Sequence, residues 1–241
     1  NDSMVSTSPT VRLVIPALAQ GPRLPSLALR YAAARPLLAV AVQNMGTTAV
    51  VATNCNETQA LAAQLGCTTW PLPSMDDQTP WQIHEHLVER CVSENCEWHI
   101  VCDPMCPLVG DDDVAAARRF LAGTTHRGLL SVTSTSAIAF DQGGAVLGAD
   151  AATSDANQTK RQIFLVNGAI GIWNVEEASR HGISGLIDAR QVALFPLAAP
   201  KNLRADDELE FQLIETTLKK KRSQPNIAIK RYWDSGEGDP L

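Results

Sequence analysis

Short β-branched apolar runs alternate along this chain with stretches of helical apolar spacing, and that alternation restricts the fold more than any other feature. Val11 to Ala17, Thr48 to Thr53, Trp98 to Cys102, Leu129 to Thr133, Gly168 to Trp173 and Gln191 to Leu197 read as strands. Between them, Pro36 to Asn44, Glu57 to Leu65, Trp81 to Ser93 and Asp206 to Leu218 read as helices, the second closed by Gly66. Strands that are apolar throughout have both faces covered, so the expectation is a three-layer α/β/α fold on a mostly parallel, Rossmann-like sheet. Such a sheet holds its ligands at the carboxyl ends of its strands. The loop after the first strand, Thr53-Asn54 and Asp103-Pro104 therefore fall along one rim.

With 241 residues, 45% of them hydrophobic and 19% charged, the chain can bury a large core in a single domain, expected over 11–241 behind a loose tail at 1–10. A formal charge of −6 argues against nucleic acid as a partner. No apolar run reaches the roughly 20 residues of a membrane helix, and the first ten residues lack the order of a signal peptide, so a cytoplasmic location is expected. The six cysteines, Cys55, Cys67, Cys91, Cys96, Cys102 and Cys106, then read as free, mostly buried thiols.

Several charged features have plain structural readings. Asp111-Asp112-Asp113 suits the first turn of a helix, and Lys219 to Arg222 suits the end of one. The segment 141–165, rich in small and polar residues at its start, reads as an excursion from the sheet. His84 and His86 lie two apart and cannot chelate together on a helix, while His99, His126 and His181 are expected at surface or boundary positions. The tryptophans read as core or interface anchors. GxGxxG after the first strand, GxxxxGK[ST] and HExxH are all absent, which disfavours a dinucleotide enzyme, a P-loop ATPase and a zincin.

One loop points elsewhere. Ile15-Pro16-Ala17-Leu18-Ala19-Gln20-Gly21-Pro22-Arg23-Leu24-Pro25, followed by Arg35-Pro36-Leu37-Leu38, resembles the nucleotide-binding loop of the CMP-sialic acid and CMP-Kdo synthetases. Val50 to Asn54, Ile100 to Leu108, Asn167 to Ile172 and Asp206 to Glu215 are similar to later segments of that family, in the same order. The resemblance implies a nucleotide-diphospho-sugar transferase type of fold and transfer of CMP from CTP to an acidic 2-keto sugar, with Mg²⁺ assisting and pyrophosphate leaving. It further implies nucleotide contacts at Pro16, Ala17, Leu18, Gly21, Arg23, Thr53 and Asn54. Sugar contacts are implied at Asp103, Pro104, Asn167 and Gly168, catalytic roles at Arg23, Asp103 and Asp206, and metal ligation at Asp103 and Asp206. Family relatives are commonly homodimers, with an excursion such as 141–165 reaching toward the partner.

The chain also departs from that pattern. Family cations fall on Leu18, Pro22, Leu27 and Val109; two closing acids fall on Arg204 and Asp206; a metal-binding Asp falls on Met105. Losing a phosphate-paired cation from a dry site costs roughly 2–5 kcal/mol. A second expectation therefore stands beside the first: a catalytically impaired relative that acts as a nucleotide-binding or assembly subunit. A glycosyltransferase-like nucleotide-sugar binder would need a D-x-D motif after a strand, and Asp111 to Asp113 stand at a helix start instead.

Overall fold

The computed structural model describes residues 10–19, 27–46, 48–73, 80–135, 139–147 and 163–223. The chain enters β1 at Val11–Pro16, passes a 3₁₀ turn at Leu27–Leu29, and makes a small hairpin of β2 (Tyr31–Ala32) and β3 (Arg35–Pro36). There follow α1 (Leu37–Met45), β4 (Val50–Thr53), α2 (Asn56–Gln64), β5 (Thr69–Pro71), α3 (Pro80–Ser93) and β6 (Trp98–Cys102). The second half holds α4 (Asp111–Ala122), β7 (Gly128–Thr135), the short pair β8 (Ala139–Phe140) and β9 (Val146–Leu147), and β10 (Ile163–Asn174). It closes with α5 (Val175–Asp188), β11 (Val192–Pro196) and α6 (Glu208–Ser223).

Seven strands form one sheet in the order β11-β7-β10-β6-β1-β4-β5. All neighbours run parallel except β10, which lies antiparallel to both β6 and β7. The central strands bury both faces, as their unbroken apolar runs require. Ile15, Val51, Ile100 and Ile172 point into a layer closed by α1, α2 and α4, where Leu38, Ala62 and Val114 meet them. Val14, Val50, Val101 and Trp173 point the other way, onto Leu87 and Val88 of α3 and Ile183 and Leu186 of α5. α6 packs Phe211, Ile214 and Leu218 over the outer side of α1 and the small hairpin.

The expected helices and strands stand within a few residues of their places, and three elements went unread. α5 is the largest of these. Gly182 and Gly185 interrupt its apolar spacing, and Gly182 has a non-helical φ of 71° that kinks it. Its start is nonetheless marked: the Asn174 side chain accepts from the Glu177 backbone N–H at 3.0 Å. β5 and the hairpin of β2 and β3 are too short to show a period. Asp111 to Asp113 do open a helix, with Gly110 N–H donating to Asp113 Oδ2 at 3.0 Å. Lys219 to Arg222 lie in the last turns of α6. The described start of the excursion is the two-stranded ribbon of β8 and β9, and its remainder lies outside the described residues.

Free thiols were expected, and all six cysteines are free, five of them buried. Burial pushes the Cys102 thiol up to about 12. Trp70 and Trp173 are core anchors. His99 corrects the sequence reading: it sits in mid-sheet and is fully buried rather than at a boundary. Burial lowers His99 to about 3, with His84 beside it adding repulsion, and burial lowers His84 to about 4. Both depressions mean that the unfolded chain binds protons first. Stability is therefore complete above the ordinary histidine value of 6.5 and falls as pH drops from there toward 4. The expected slope is about 1.4 kcal/mol per pH unit for each histidine. Denaturant melts between pH 7 and pH 4.5 check this, and His99→Leu is expected to remove its share of the slope.

Candidate functional site

The chain leaves β1 for β4 and β5 on one side, then returns to β6 on the other side of β1. The carboxyl ends of β1 and β6 thus border a topological switch point, the crevice where open α/β sheets bind ligands. Pro16 ends β1 in register with Ala52 of β4, and Ala17, buried, donates its N–H to the Ala52 carbonyl at 2.8 Å. Leu18 is partly buried beside it. The next residue donates from its backbone N–H to Asn54 Oδ1 at 2.9 Å, tying the first loop to the end of β4. Thr53 is buried, and its hydroxyl accepts from Cys55 N–H at 3.1 Å. Gly21 and Arg23 lie outside the described residues.

Across the crevice, Asp103 follows β6 directly. Its Oδ1 accepts from Met105 N–H at 2.8 Å and turns the chain at Pro104. Its Oδ2 meets Arg204 Nη1. The same guanidinium donates from Nε to Asp206 Oδ1 at 2.7 Å and from Nη2 to Met105 Sδ at 3.2 Å. Arg204 thereby joins two carboxylates that the sequence separates by about a hundred positions. Burial works against its charge, but Asp103 and Asp206 outweigh burial and raise its pKa above the ordinary guanidinium range. Asp206 does not cap α6. Asp207 does, accepting from Glu210 N–H at 2.9 Å, while Asp206 N–H donates to Glu210 Oε2.

Gly168 and Asn167 come to this edge on β10, where the ladder to β7 shifts register between Val166 and Gly171. The Asn167 amide is engaged inside that bulge: Oδ1 takes Ser131 Oγ at 2.5 Å and Ala169 N–H at 3.2 Å, and Nδ2 reaches Thr133 Oγ1 at 3.3 Å. Gly168 has a φ of +71°, and a Cβ there would stand 2.9 Å from Arg204 Nη1. The guanidinium lies in the space that a side chain at this position would fill. Lys201, on the loop leading to Arg204, pairs with Asp113 at 2.5 Å.

The structure therefore brings together Asp103, Pro104, Gly168 and Asp206, and sets Pro16 to Leu18, Thr53 and Asn54 along the adjoining rim. Sequence reading noted Arg204 only as a missing acid and did not anticipate that it would link its neighbours. Other departures have joined the core. Leu27 and Val109, which stand where the family has cations, are 2% and 1% exposed. Among the described residues no group of three or more His, Cys, Asp or Glu side chains is placed to hold a metal ion. Asp103 and Asp206 do not fit Mg²⁺ as they stand, because a guanidinium already occupies the space between their oxygens.

No family model and no curated protein sequence matches the chain. Solved structures do. A CMP:2-keto-3-deoxy-manno-octonic acid synthetase complexed with CTP superposes with a TM-score of 0.64 at 14% identity, over 88% of this chain and 99% of that one. The fold is that of the cytidylyltransferases. A 4-diphosphocytidyl-2C-methyl-D-erythritol synthase from Anaerococcus prevotii matches with a TM-score of 0.62 at 9% identity, over 88% of this chain and 99% of that one. A cytidylyltransferase from Leptospira borgpetersenii matches with a TM-score of 0.60 at 11% identity, over 88% of each chain. The resemblance read from the rim loop thus agrees with the architecture as a whole. Within this fold, Arg204 links Asp103 and Asp206 at the edge of the crevice.

Gly168→Ala is expected to destabilise the chain by about 1–3 kcal/mol, through both the positive φ and the approach to Arg204. In an Arg204→Ala background the second component is gone. A thermodynamic cycle of the four proteins is expected to return a coupling of about 0.5 kcal/mol or more; strict additivity would break the proposed contact.

Proposed function

We propose that this chain binds CTP in the crevice between β1 and β6 and transfers CMP to an acidic 2-keto sugar. The sugar's anomeric oxygen attacks the α-phosphorus, the bond from that phosphorus to the bridging oxygen breaks, and pyrophosphate leaves with the electron pair. The hydroxyl proton passes to solvent. The observation that carries this reading is the convergence, at one switch point, of the rim segments that resemble the CMP-sugar synthetases: Pro16 to Leu18, Thr53-Asn54, Asp103-Pro104 and Gly168. A CTP-complexed synthetase of the same fold supports the choice of nucleotide. Backbone N–H groups of the first loop and the cation at Arg23 would meet the phosphates.

A specific observation favours a second reading, in which the chain binds the nucleotide without turning it over. Arg204 is held by two carboxylates, and Leu27 and Val109, which stand where the resembling family has cations, are buried. Fewer free positive charges then face a triphosphate, and charge stabilisation is the main catalytic term in phosphoryl chemistry. A homodimer belongs to either reading. Phe164, Leu165 and Val166 on the outer half of β10, and Phe140 on β8, are exposed large apolar side chains, and burial against a second copy would remove them from water.

Calorimetry with CTP and a pyrophosphate-release assay over a panel of acidic 2-keto sugars separate the readings. Heat of CTP binding with pyrophosphate release supports transfer; heat without release supports the second reading; neither result sinks both. Asn54→Ala, which unties the first loop, is expected to weaken CTP binding about tenfold and to cost about 1 kcal/mol of stability. Light scattering is expected to give the mass of two chains, and Leu165→Glu to shift it to that of one.

A further inference from the structure

The sheet has two ends, and the crevice uses one of them. At the other, where β1, β6 and β7 begin and β10 finishes, a cavity of about 520 Å³ lies between the strands and the last turn of α4. The length of β1, Val11–Pro16, separates it from the crevice, about 17 Å of extended chain. Its apolar lining is Val11, Trp98, Ile100, Leu121 and Ile172. The helix stops at Ala122, and Val11 and Trp98 are left only partly buried. The polar lining is Arg118 from α4, with Thr125, His126 and Arg127 from the loop that enters β7. The last carbonyls of α4, which would repel an anion, are already taken: Gly123 N–H reaches several of them, and the Thr124 hydroxyl donates to the Leu121 carbonyl at 2.8 Å.

No acidic side chain stands among the described lining residues, in a chain whose formal charge is −6. Elsewhere Arg12, Arg30, Arg90, Arg180 and Arg204 each have a carboxylate partner. The guanidinium groups of Arg118 and Arg127 have none among the described residues, and both residues are exposed. His126 completes the polar wall. Its Nδ1 is buried with no partner among the described residues, so no bond at that atom fixes the ring. A helix-end cation would explain Arg118 alone. It explains neither Arg127, which lies beyond the helix, nor the hollow that both residues line. We infer that this cavity is a second ligand site, for a small carboxylate with a flat apolar body. The body lies against Trp98 and Ile100, and the carboxylate meets Arg118 and Arg127, whose planar forks match its two oxygens. The volume is that of an ordinary small-molecule site, and the apolar lining excludes a sugar or a nucleotide phosphate tail. This goes beyond either functional reading, because the cavity lies at the opposite end of the sheet from the crevice.

The test uses the full chain without nucleotide and follows binding by ligand-observed NMR titration. Three probes are compared: indole-3-acetate, indole-3-acetamide, which keeps the ring and loses the charge, and acetate, which keeps the charge and loses the ring. The expected Kd for indole-3-acetate is about 0.1–1 mM. The amide is expected to bind about fivefold more weakly or worse, and acetate not to bind at about 10 mM. Ala122→Trp, at an exposed position in the cavity wall, places a ring in the hollow and is expected to weaken indole-3-acetate about tenfold or more. Arg118→Gln and Arg127→Gln are each expected to weaken the acid about threefold and to leave the amide unchanged. All three substituted positions are exposed, and thermal melts check that the variants fold; if Ala122→Trp does not, the two arginine variants locate the site. The inference is overturned if indole-3-acetate does not bind, if the acid and the amide bind equally, or if the folded variants bind the acid undiminished. Because CTP is absent, a failure here leaves the functional readings untouched, and a failure of CTP to bind leaves this inference untouched.

Discussion

The sheet depends on one strand that runs against the rest. β10 hydrogen-bonds to β6 on one side and β7 on the other, and without it the sheet would fall into a four-strand and a two-strand piece. Its burial is correspondingly deep: Ile170, Ile172 and Trp173 are among the largest fully buried side chains, and Gly128 leaves space for the Trp173 ring. Deep packing on both faces is what allows the strand to be bent without fraying. The bend comes at the bulge, where Ser131 donates to Asn167 Oδ1 and accepts from Ile170 N–H, closing the gap in the ladder. That bend delivers Gly168 to the crevice.

The site is built from three such deliveries. β6 ends at Asp103, β10 bends at Gly168, and the segment before α6 docks by its backbone onto the turn after β6. None of the three is a sequence neighbour of another. Electrostatics then selects how they close, because two partly desolvated carboxylates cannot face each other uncompensated. Arg204 is held in its charged form by that need, and the carboxylates are held in place by it in turn.

Much of this was legible in the sequence. β6 was read at its observed bounds, because Trp-His-Ile-Val-Cys is apolar on both faces and ended by Asp-Pro. The parallel arrangement followed from strand and helix alternation, and the rim from the carboxyl ends of β1, β4 and β6. α5 was missed because two glycines break its spacing, although Asn174 and Glu177 mark its start. The burial of His99 was missed because a histidine in a strand carries no local sign of desolvation; only the packing of α3 and α5 over that face supplies it. Arg204 was read as an absence, since alignment with a pattern reports what is lacking. Its two ion pairs follow from the docking of Ala205 on Met105, a contact a hundred residues long in sequence.

The linkage of Arg204 to Asp103 and Asp206 also ties together two pieces of chain about a hundred residues apart. It pins the segment before α6 to the end of β6, beside the backbone bond from Ala205 to Met105. A displacement of either piece therefore strains ion pairs that hold the other, and this edge of the crevice responds as one unit.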